Sequence, residues 1–374
     1  MTSRERVLRT INHQPVDRMP IDLGSHYSTG ISAFAYWNLR KHLGLSTDNI
    51  EIIDLYQFLA RVDEDVLKRF HCDCILLNPG EEKRMPWNPR GEYVFNIPAY
   101  ADPQLQDDGS WLLKQNTPKV FMPKGGFFFD RLRSDVSSED YHIERYAAEA
   151  ERIFKDTDYF TMYIGYHAYF ICDNMEWQMK MITDPDAIKE ENEYIHKKQL
   201  RAVKKVIESM GDYIQAIAIN SDLGSQSGPL CRPSLHEELC APYVKELCDF
   251  VHQNSDLKIF LHSCGAIRQF MPSLIECGVD IFNPVQITAN DMDPYELKKE
   301  FGAKATFWGG GCNTQQVLSS GSPSEVSENV RELVNIFKPG GGFVFNQIHN
   351  IMGNVSPENI VAMLDTAYEE SFYK

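Results

Sequence analysis

Lys258-Ile-Phe-Leu-His-Ser-Cys-Gly265 decides the reading of this chain. Ile259, Phe260 and Leu261 form a short apolar run that breaks at Gly265, the pattern of a buried strand delivering His262 and Cys264 at its C-terminal end. Strand side chains alternate between faces, so positions two apart point the same way. An imidazole and a thiolate side by side supply half of a tetrahedral zinc site, and a third ligand must come from elsewhere in the fold. Cys312 is the best-placed candidate, because it follows Ala305-Thr-Phe-Trp-Gly-Gly-Gly311, another apolar run that breaks into glycine.

The same pattern recurs on both sides of this stretch. Strands are predicted at Met19 to Leu23, Cys74 to Leu77, Phe160 to Gly165, Ile214 to Asn220, Lys258 to His262, Ile281 to Val285, Ala305 to Trp308 and Gly342 to Asn346. Helical stretches such as Pro233 to His252 and Ser324 to Phe337 fall between them, the first opening on a proline whose missing N–H does no harm there. Eight strand-then-helix units predict an α/β fold, a single (β/α)8 TIM barrel spanning residues 1–374. A short helix over Arg4 to Ile11, N-capped by Thr2 or Ser3, would close the barrel floor. The second unit is irregular. Residues 80 to about 130 are rich in proline, glycine and aromatics without a helical period, and read as an inserted hairpin or lid over the mouth.

Composition sets the outer bounds. With 43% hydrophobic and 24% charged residues the chain has the make-up of a globular protein, and its formal charge of −16 argues against nucleic acid or an anionic membrane as partner. No apolar window is long enough to span a bilayer, and Met1-Thr-Ser-Arg-Glu-Arg6 lacks the core of a signal peptide, which points to the cytosol. Nine scattered cysteines fit a reducing compartment better than a disulfide framework.

Barrel active sites lie where the strands end, so residues following a strand form the candidate list. His167, Asp222, His262, Cys264, Gln286, Cys312 and His349 pass this filter, whereas His13, His42, His196, His236 and His252 fall on helices or their flanks and read as surface residues. Asp222, His349 and His167 are expected to line the pocket, with Asp222 orienting a ligand or substrate; each reads equally well as a hydrogen-bonded structural residue. Cys240, Cys248 and Cys277 read as small apolar residues, and Cys72 and Cys74 lie at the wrong end of their strand for a mouth site.

Together these stretches resemble the uroporphyrinogen decarboxylase superfamily, and within it the zinc-dependent, corrinoid-linked methyltransferases: the methylcobalamin:coenzyme M methyltransferases and the methyltransferase components of bacterial O-demethylases. The resemblance runs through Arg4-Glu-Arg-Val-Leu8, Asp17-Arg-Met-Pro20, His262-Ser-Cys-Gly265, Phe307-Trp-Gly-Gly-Gly-Cys312, Gly340-Gly-Gly-Phe343, His349-Asn-Ile351 and Pro357-Glu-Asn359. It implies His262, Cys264 and Cys312 as zinc ligands. Some members offer a glutamate as a fourth ligand after the sixth strand; here Phe282-Asn-Pro-Val-Gln286 offers glutamine, a neutral and weaker donor that substrate or water could displace. The decarboxylases themselves fit less well, because Asp22-Leu-Gly-Ser-His-Tyr-Ser-Thr-Gly30 carries no arginine and Ile75-Leu-Leu-Asn-Pro-Gly80 no strand-end aspartate to hold a tetrapyrrole.

The resemblance therefore implies a methyltransferase with Zn2+ that exchanges a methyl group between a small methylated substrate or a thiol and the cobalt of a corrinoid (cobalamin). No Asp-x-His-x-x-Gly sequence is present, so a separate corrinoid protein would carry that cofactor. Phe127, Phe128, Phe129, Tyr93 and Trp111 favour an aromatic or apolar methyl donor, such as a methoxylated aromatic. Two other readings compete: a metal-free decarboxylase, and a non-catalytic zinc-binding barrel.

Overall fold

Apolar alternation sorts the strands into an inner and an outer face. In Ala216–Asn220 the alanines 216 and 218 join one buried cluster while Ile217 and Ile219 join another, and in Lys258–His262 Phe260 separates in the same way from Ile259 and Leu261. The inner cluster holds Cys74, Phe160, Met162, Phe260, Ile281, Trp308 and Val344; the outer one lies between strands and helices. His262 and Asn283 share the parity of Phe260 and Ile281 and therefore face inward.

The structure, a computed structural model, describes residues 1–81, 83–113, 120–130, 143–167 and 175–373, the side chains at 166 and 167 excepted. Its main sheet is parallel and six-stranded, with Met162–His167, Ala216–Asn220, Lys258–His262, Ile281–Asn283, Thr306–Trp308 and Phe343–Val344 side by side in chain order. Register brings His262 level with Asn220 on one side and Asn283 on the other. Helices Pro185–Met210, Ala241–Asn254, Met271–Cys277, Pro294–Phe301, Pro323–Phe337 and Pro357–Glu369 connect or follow these strands, each with proline in its first turn, where no N–H is needed. This α/β arrangement is compatible with a TIM barrel.

The first two expected strands are reduced to single parallel bridges, Ile21 to Phe345 and Cys74 to Phe160. Pro20 has no N–H to give, and the Ile21 N–H goes to the Asp73 carboxylate (2.9 Å) instead of a neighbouring backbone, so no continuous ladder forms. Asp73 N still reaches Ile21 O at 2.7 Å, and Ile75 N reaches Phe160 O at 2.9 Å. At this floor the Ser3–Ile11 helix, capped by Thr2, inserts Val7 and Ile11 into the inner cluster. Beside it the buried Asp73 carboxylate receives Arg6 (2.6 Å), Arg18 (2.8 and 2.9 Å) and Ser3 Oγ (2.9 Å).

Departure from the repeating pattern begins near residue 50, earlier than the expected 80. Ile50–Asp54 pairs with Leu59–Ala60 and with Phe95–Pro98, which forms an antiparallel hairpin with Arg84–Trp87; Pro103–Leu105, Trp111–Leu113 and Phe121–Met122 make a further small sheet. The Ala33–His42 helix and this β-rich segment share an aromatic core. Phe34 meets Phe95 and Phe127 edge-on at 5.1 and 5.7 Å, Trp87 meets Trp111 at 5.3 Å, and Tyr93 meets Trp37 at 4.8 Å. Phe129 is fully buried, and of the five aromatics expected to recognise substrate, Phe128 alone is exposed. Most of these aromatics pack against one another, as aromatic runs commonly do.

Two smaller expectations change. The Pro233–His252 helix is broken into Pro233–Leu239 and Ala241–Asn254, because Pro242 cannot donate into a continuous helix. His196 and His236 are buried rather than exposed, since their helix faces pack on Tyr243 and Phe270. No helix among the described residues is long and apolar enough to cross a membrane.

Candidate active site

His262 ends its strand with both ring nitrogens facing groups that settle its tautomer. Asn283 donates Nδ2–H to Trp308 O (2.8 Å), which fixes its Oδ1 as an acceptor, and His262 Nδ1 lies 2.7 Å from that oxygen. Nδ1 therefore carries the proton, and the Nε2 lone pair is turned toward Cys264 Sγ at 3.5 Å. Ser28 Oγ donates to the same Asn283 oxygen at 2.7 Å and lies 2.7 Å from His26 Nδ1. The His26 ring stacks on His262 with centroids 5.7 Å apart.

Cys264 sits in a turn held by its neighbours. Its N–H donates to Asp222 Oδ1 at 2.8 Å, and Gly265, with φ +81, presses its bare Cα on the backbone of Gly224, where a Cβ would collide. Asp222 Oδ1 also lies 3.9 Å from His262 Nε2. Burial, reinforced by the Asp222 charge, pushes the Cys264 thiol well up, so without a cation it stays protonated.

His349 completes the cluster. One ligand atom each from His262, Cys264 and His349 lies within 4.8 Å of the other two. His349 adopts φ +59, unusual for a side chain with a Cβ, and its Nδ1 accepts from Asn350 N at 2.9 Å, which places the proton of the neutral ring on Nε2. Burial first, then His262, pulls its pKa down to about 4, against the opposing pull of Asp222. Its loop is tied to the first part of the chain: Asn350 accepts from Gly30 N (2.7 Å) and donates to Gln57 Oε1 (2.7 Å) and Tyr27 O (2.9 Å), while Ile351 N donates to Gly30 O (3.0 Å) and Gly353 abuts the Phe127 ring.

The other sequence candidates fall in different places. Cys312 is fully buried with its carbonyl accepting from Ile348 N (3.2 Å), and its thiol is pushed up to about 12 by burial. Among the described residues the group of three converging ligand atoms comprises His262, Cys264 and His349, without Cys312. Gln286, expected as a loose fourth ligand, has its Oε1 on Gly265 N (2.9 Å) and its Nε2 on Gln226 Oε1 (2.7 Å), which commits both polar atoms. The His167 backbone pairs with Asn220, and its side chain lies outside the described residues. His26, Ser28 and Asn283 went unnoticed in the sequence. His26 follows the first strand, so the strand-end filter applied there would have kept it.

The donor set suits a borderline-soft divalent ion: an imidazole lone pair and a thiol in contact, with a carboxylate-held backbone behind them. A cavity of about 410 Å3 opens at the floor and is lined by residues that include Ser3, Arg18, Lys68 and His71. Arg18 there is paired with Asp73 and Lys68 with Glu64, and no mouth residue reaches it.

The uroporphyrinogen decarboxylase (URO-D) profile matches residues 167–370, more than half of the chain. No curated protein matches it in sequence. Among solved structures, a methyltransferase from Methanosarcina mazei superposes with a TM-score of 0.59 over 99% of both chains at 13% identity, which speaks for a shared fold. A glycoside hydrolase family 5 enzyme from Prevotella bryantii reaches a TM-score of 0.36 at 14% identity over 60% of this chain and 77% of its own, too low to carry an argument. With the profile covering the Ala216–Asn220 to Phe343–Val344 strands together with His262, Cys264 and His349, this chain belongs to the uroporphyrinogen decarboxylase family.

Proposed function

We propose that the chain is a methyltransferase that exchanges a methyl group between a small methylated substrate or a thiol and the cobalt of a corrinoid carried by a separate protein, at a zinc centre in the mouth of a closed (β/α)8 barrel. Closure is taken through the Ile21–Phe345 and Cys74–Phe160 bridges, which extend the six-stranded sheet at both ends. The observation that carries the reading is the convergence of His262 Nε2 and Cys264 Sγ, 3.5 Å apart at one strand end, beside His349. The fold shared with a methyltransferase supports it.

His262 and Cys264 would hold the ion, with Cys312 as the third protein ligand and a position left for substrate or water. Bound zinc would supply Lewis acidity, lowering the pKa of a thiol or drawing electrons from an ether oxygen. The chain's own residues prepare this place. Asn283 keeps the His262 proton on Nδ1 so that Nε2 is bare; Asp222 fixes the Cys264 backbone; His349, with its proton on Nε2, can donate a hydrogen bond to a substrate heteroatom. The unusual φ of His349 is the kind of backbone strain that persists at functional sites. A tetrapyrrole decarboxylase is disfavoured, because the mouth stretch Asp22–Gly30 has no arginine and Asn78, where an aspartate is wanted, is bonded to Tyr27 Oη (2.9 Å).

The test uses purified protein with zinc added. Methylcobalamin is offered with small thiols, and cob(I)alamin with methoxylated and other methylated donors, while corrinoid absorbance is followed. Methyl transfer in one direction, lost in Cys264→Ala, is the expected result. Protein that takes up no zinc, leaves both corrinoids unchanged and decarboxylates a tetrapyrrole acid overturns the reading.

A further inference from the structure

Four consecutive N–H groups around Cys264 are taken alternately by the loops on either side. Ser263 N donates to Asn283 O (2.8 Å), Cys264 N to Asp222 Oδ1 (2.8 Å), Gly265 N to Gln286 Oε1 (2.9 Å) and Ala266 N to Ser225 O (2.9 Å). Two of these acceptors are backbone carbonyls that any sequence would provide. The other two are side chains, and they hold the peptide groups on both sides of the Cys264 Cα. The direction of Sγ thus depends on the identities of residues 222 and 286.

Gln286 is itself oriented. Gln226 Nε2 donates to Thr288 O, which turns Gln226 Oε1 toward Gln286; that oxygen accepts from Gln286 Nε2 (2.7 Å), which in turn leaves Gln286 Oε1 facing Gly265 N–H. Asn290 steadies the same loop pair, its N donating to Gln226 O (2.9 Å) and its Nδ2 to Ser227 O (3.3 Å). A glutamine turning its carbonyl to an ion would leave the Gly265 N–H without its acceptor and take its own Nε2 donor away from Gln226 Oε1. A carboxylate at 286 could serve Gly265 but could not donate to Gln226.

We infer that Gln286 is a positioning residue rather than a ligand: oriented by Gln226, it clamps Gly265 N–H and so aims Cys264 Sγ at His262 Nε2. The inference rests on the proposed metal centre for its purpose, and on the hydrogen bonds alone for its existence. It separates from the ligand role by one variant, Gln226→Leu, which reaches the centre only through Gln286.

Hydrogen exchange of the metal-free protein, resolved to the peptide spanning 262–267, tests the clamp first. In Gln286→Leu the Gly265 amide should exchange about five- to tenfold faster, the equivalent of one net hydrogen bond. Gln226→Leu should raise it roughly threefold, and Gln286→Glu should leave it within about twofold, since a carboxylate still accepts. Titration with Co2+, read by its thiolate charge-transfer absorption, tests the consequence: Kd should rise about tenfold in Gln286→Leu and severalfold in Gln226→Leu, the scale of a lost supporting partner. Unchanged exchange in Gln286→Leu overturns the clamp. So does tighter cobalt binding in Gln286→Glu with no effect in Gln226→Leu, the signature of a fourth ligand. A wild type that takes up no cobalt overturns the metal centre, while the exchange result still decides the clamp.

Discussion

Replacing Asn283 should weaken the fold and the centre together, by amounts that two variants separate. Asn283 is fully buried and makes three side-chain hydrogen bonds: it accepts from His262 Nδ1 and Ser28 Oγ at 2.7 Å each and donates to Trp308 O at 2.8 Å. In Asn283→Ala all three partners lose their match in a place water does not reach. At about 1–3 kcal/mol for each stranded group, partly relieved by relaxation, the loss comes to about 3–5 kcal/mol, a large share of a domain's stability of about 5–15 kcal/mol. His262 would also be free to move its proton to Nε2, so metal affinity should fall about 10- to 100-fold. Asn283→Asp keeps the acceptor for His262 and Ser28 but sets a carboxylate oxygen against Trp308 O. It should therefore be destabilised by about 2–3 kcal/mol while losing less than about tenfold in affinity. Urea unfolding and competitive zinc titration measure the two quantities. An Asn283→Ala protein within about 1 kcal/mol of wild type and unaltered in zinc affinity would refute the tautomer argument.

Asp73 gathers both floor arginines with no exposure of its own, so Asp73→Ala should cost about 3–5 kcal/mol by leaving Arg6 and Arg18 without it, and a change in melting temperature within error would contradict this. His236, buried against Phe270, has its pKa pulled from 6.5 to about 4 by burial. The folded state keeps it neutral while the unfolded chain protonates it, so its share of stability is complete above about pH 6.5 and is lost as the pH falls toward 4, about 2 kcal/mol of it by pH 5. His236→Phe should shrink the difference in urea midpoint between pH 7.5 and pH 5, and an unchanged difference would exclude His236 as its source. Zinc binding should release protons, because the buried Cys264 and Cys312 thiols are protonated without it. Calorimetry in buffers of different ionisation enthalpy reads this directly, and a proton count of zero in wild type and Cys264→Ala alike would remove the thiol from the centre.

The strands from Met162–His167 onward were legible because each is an apolar run bounded by glycine, asparagine or proline, and because prolines mark the helix starts. The first two were legible only as positions: Pro20 and the Asp73 carboxylate interrupt the ladder in a way that no periodicity records. The β-rich segment from Ile50 hid for a different reason. Its strands are short, two of them separated from their partners by some forty residues of chain, and its aromatics advertise recognition as readily as packing. At the site, the strand-end rule found His262, Cys264, Asp222 and His349 because it specifies which end of the sheet a residue occupies. It does not specify reach across the mouth, which is why the approach of His349 to His262 and Cys264, and the engagement of Gln286 with Gly265 and Gln226, could not be read.

The ties of the His349 loop bear on how this molecule could be cut down or redesigned. That loop leans on Gly30, Gln57, Tyr27 and Phe127, all from the first 130 residues, while Ile348 just before it bonds to Cys312 and Thr314. A minimal barrel made by trimming residues 80 to 130 would retain every metal-ligand candidate, the Cys74 strand with Asp73, and the Gly30, Tyr27 and Gln57 ties, yet remove the Phe127 ring that packs on the His349 loop. Such a trimmed protein should still bind the ion but seat His349 less firmly, and grafting a new mouth onto this scaffold would have to begin by rebuilding the packing that Phe127 gives Gly353.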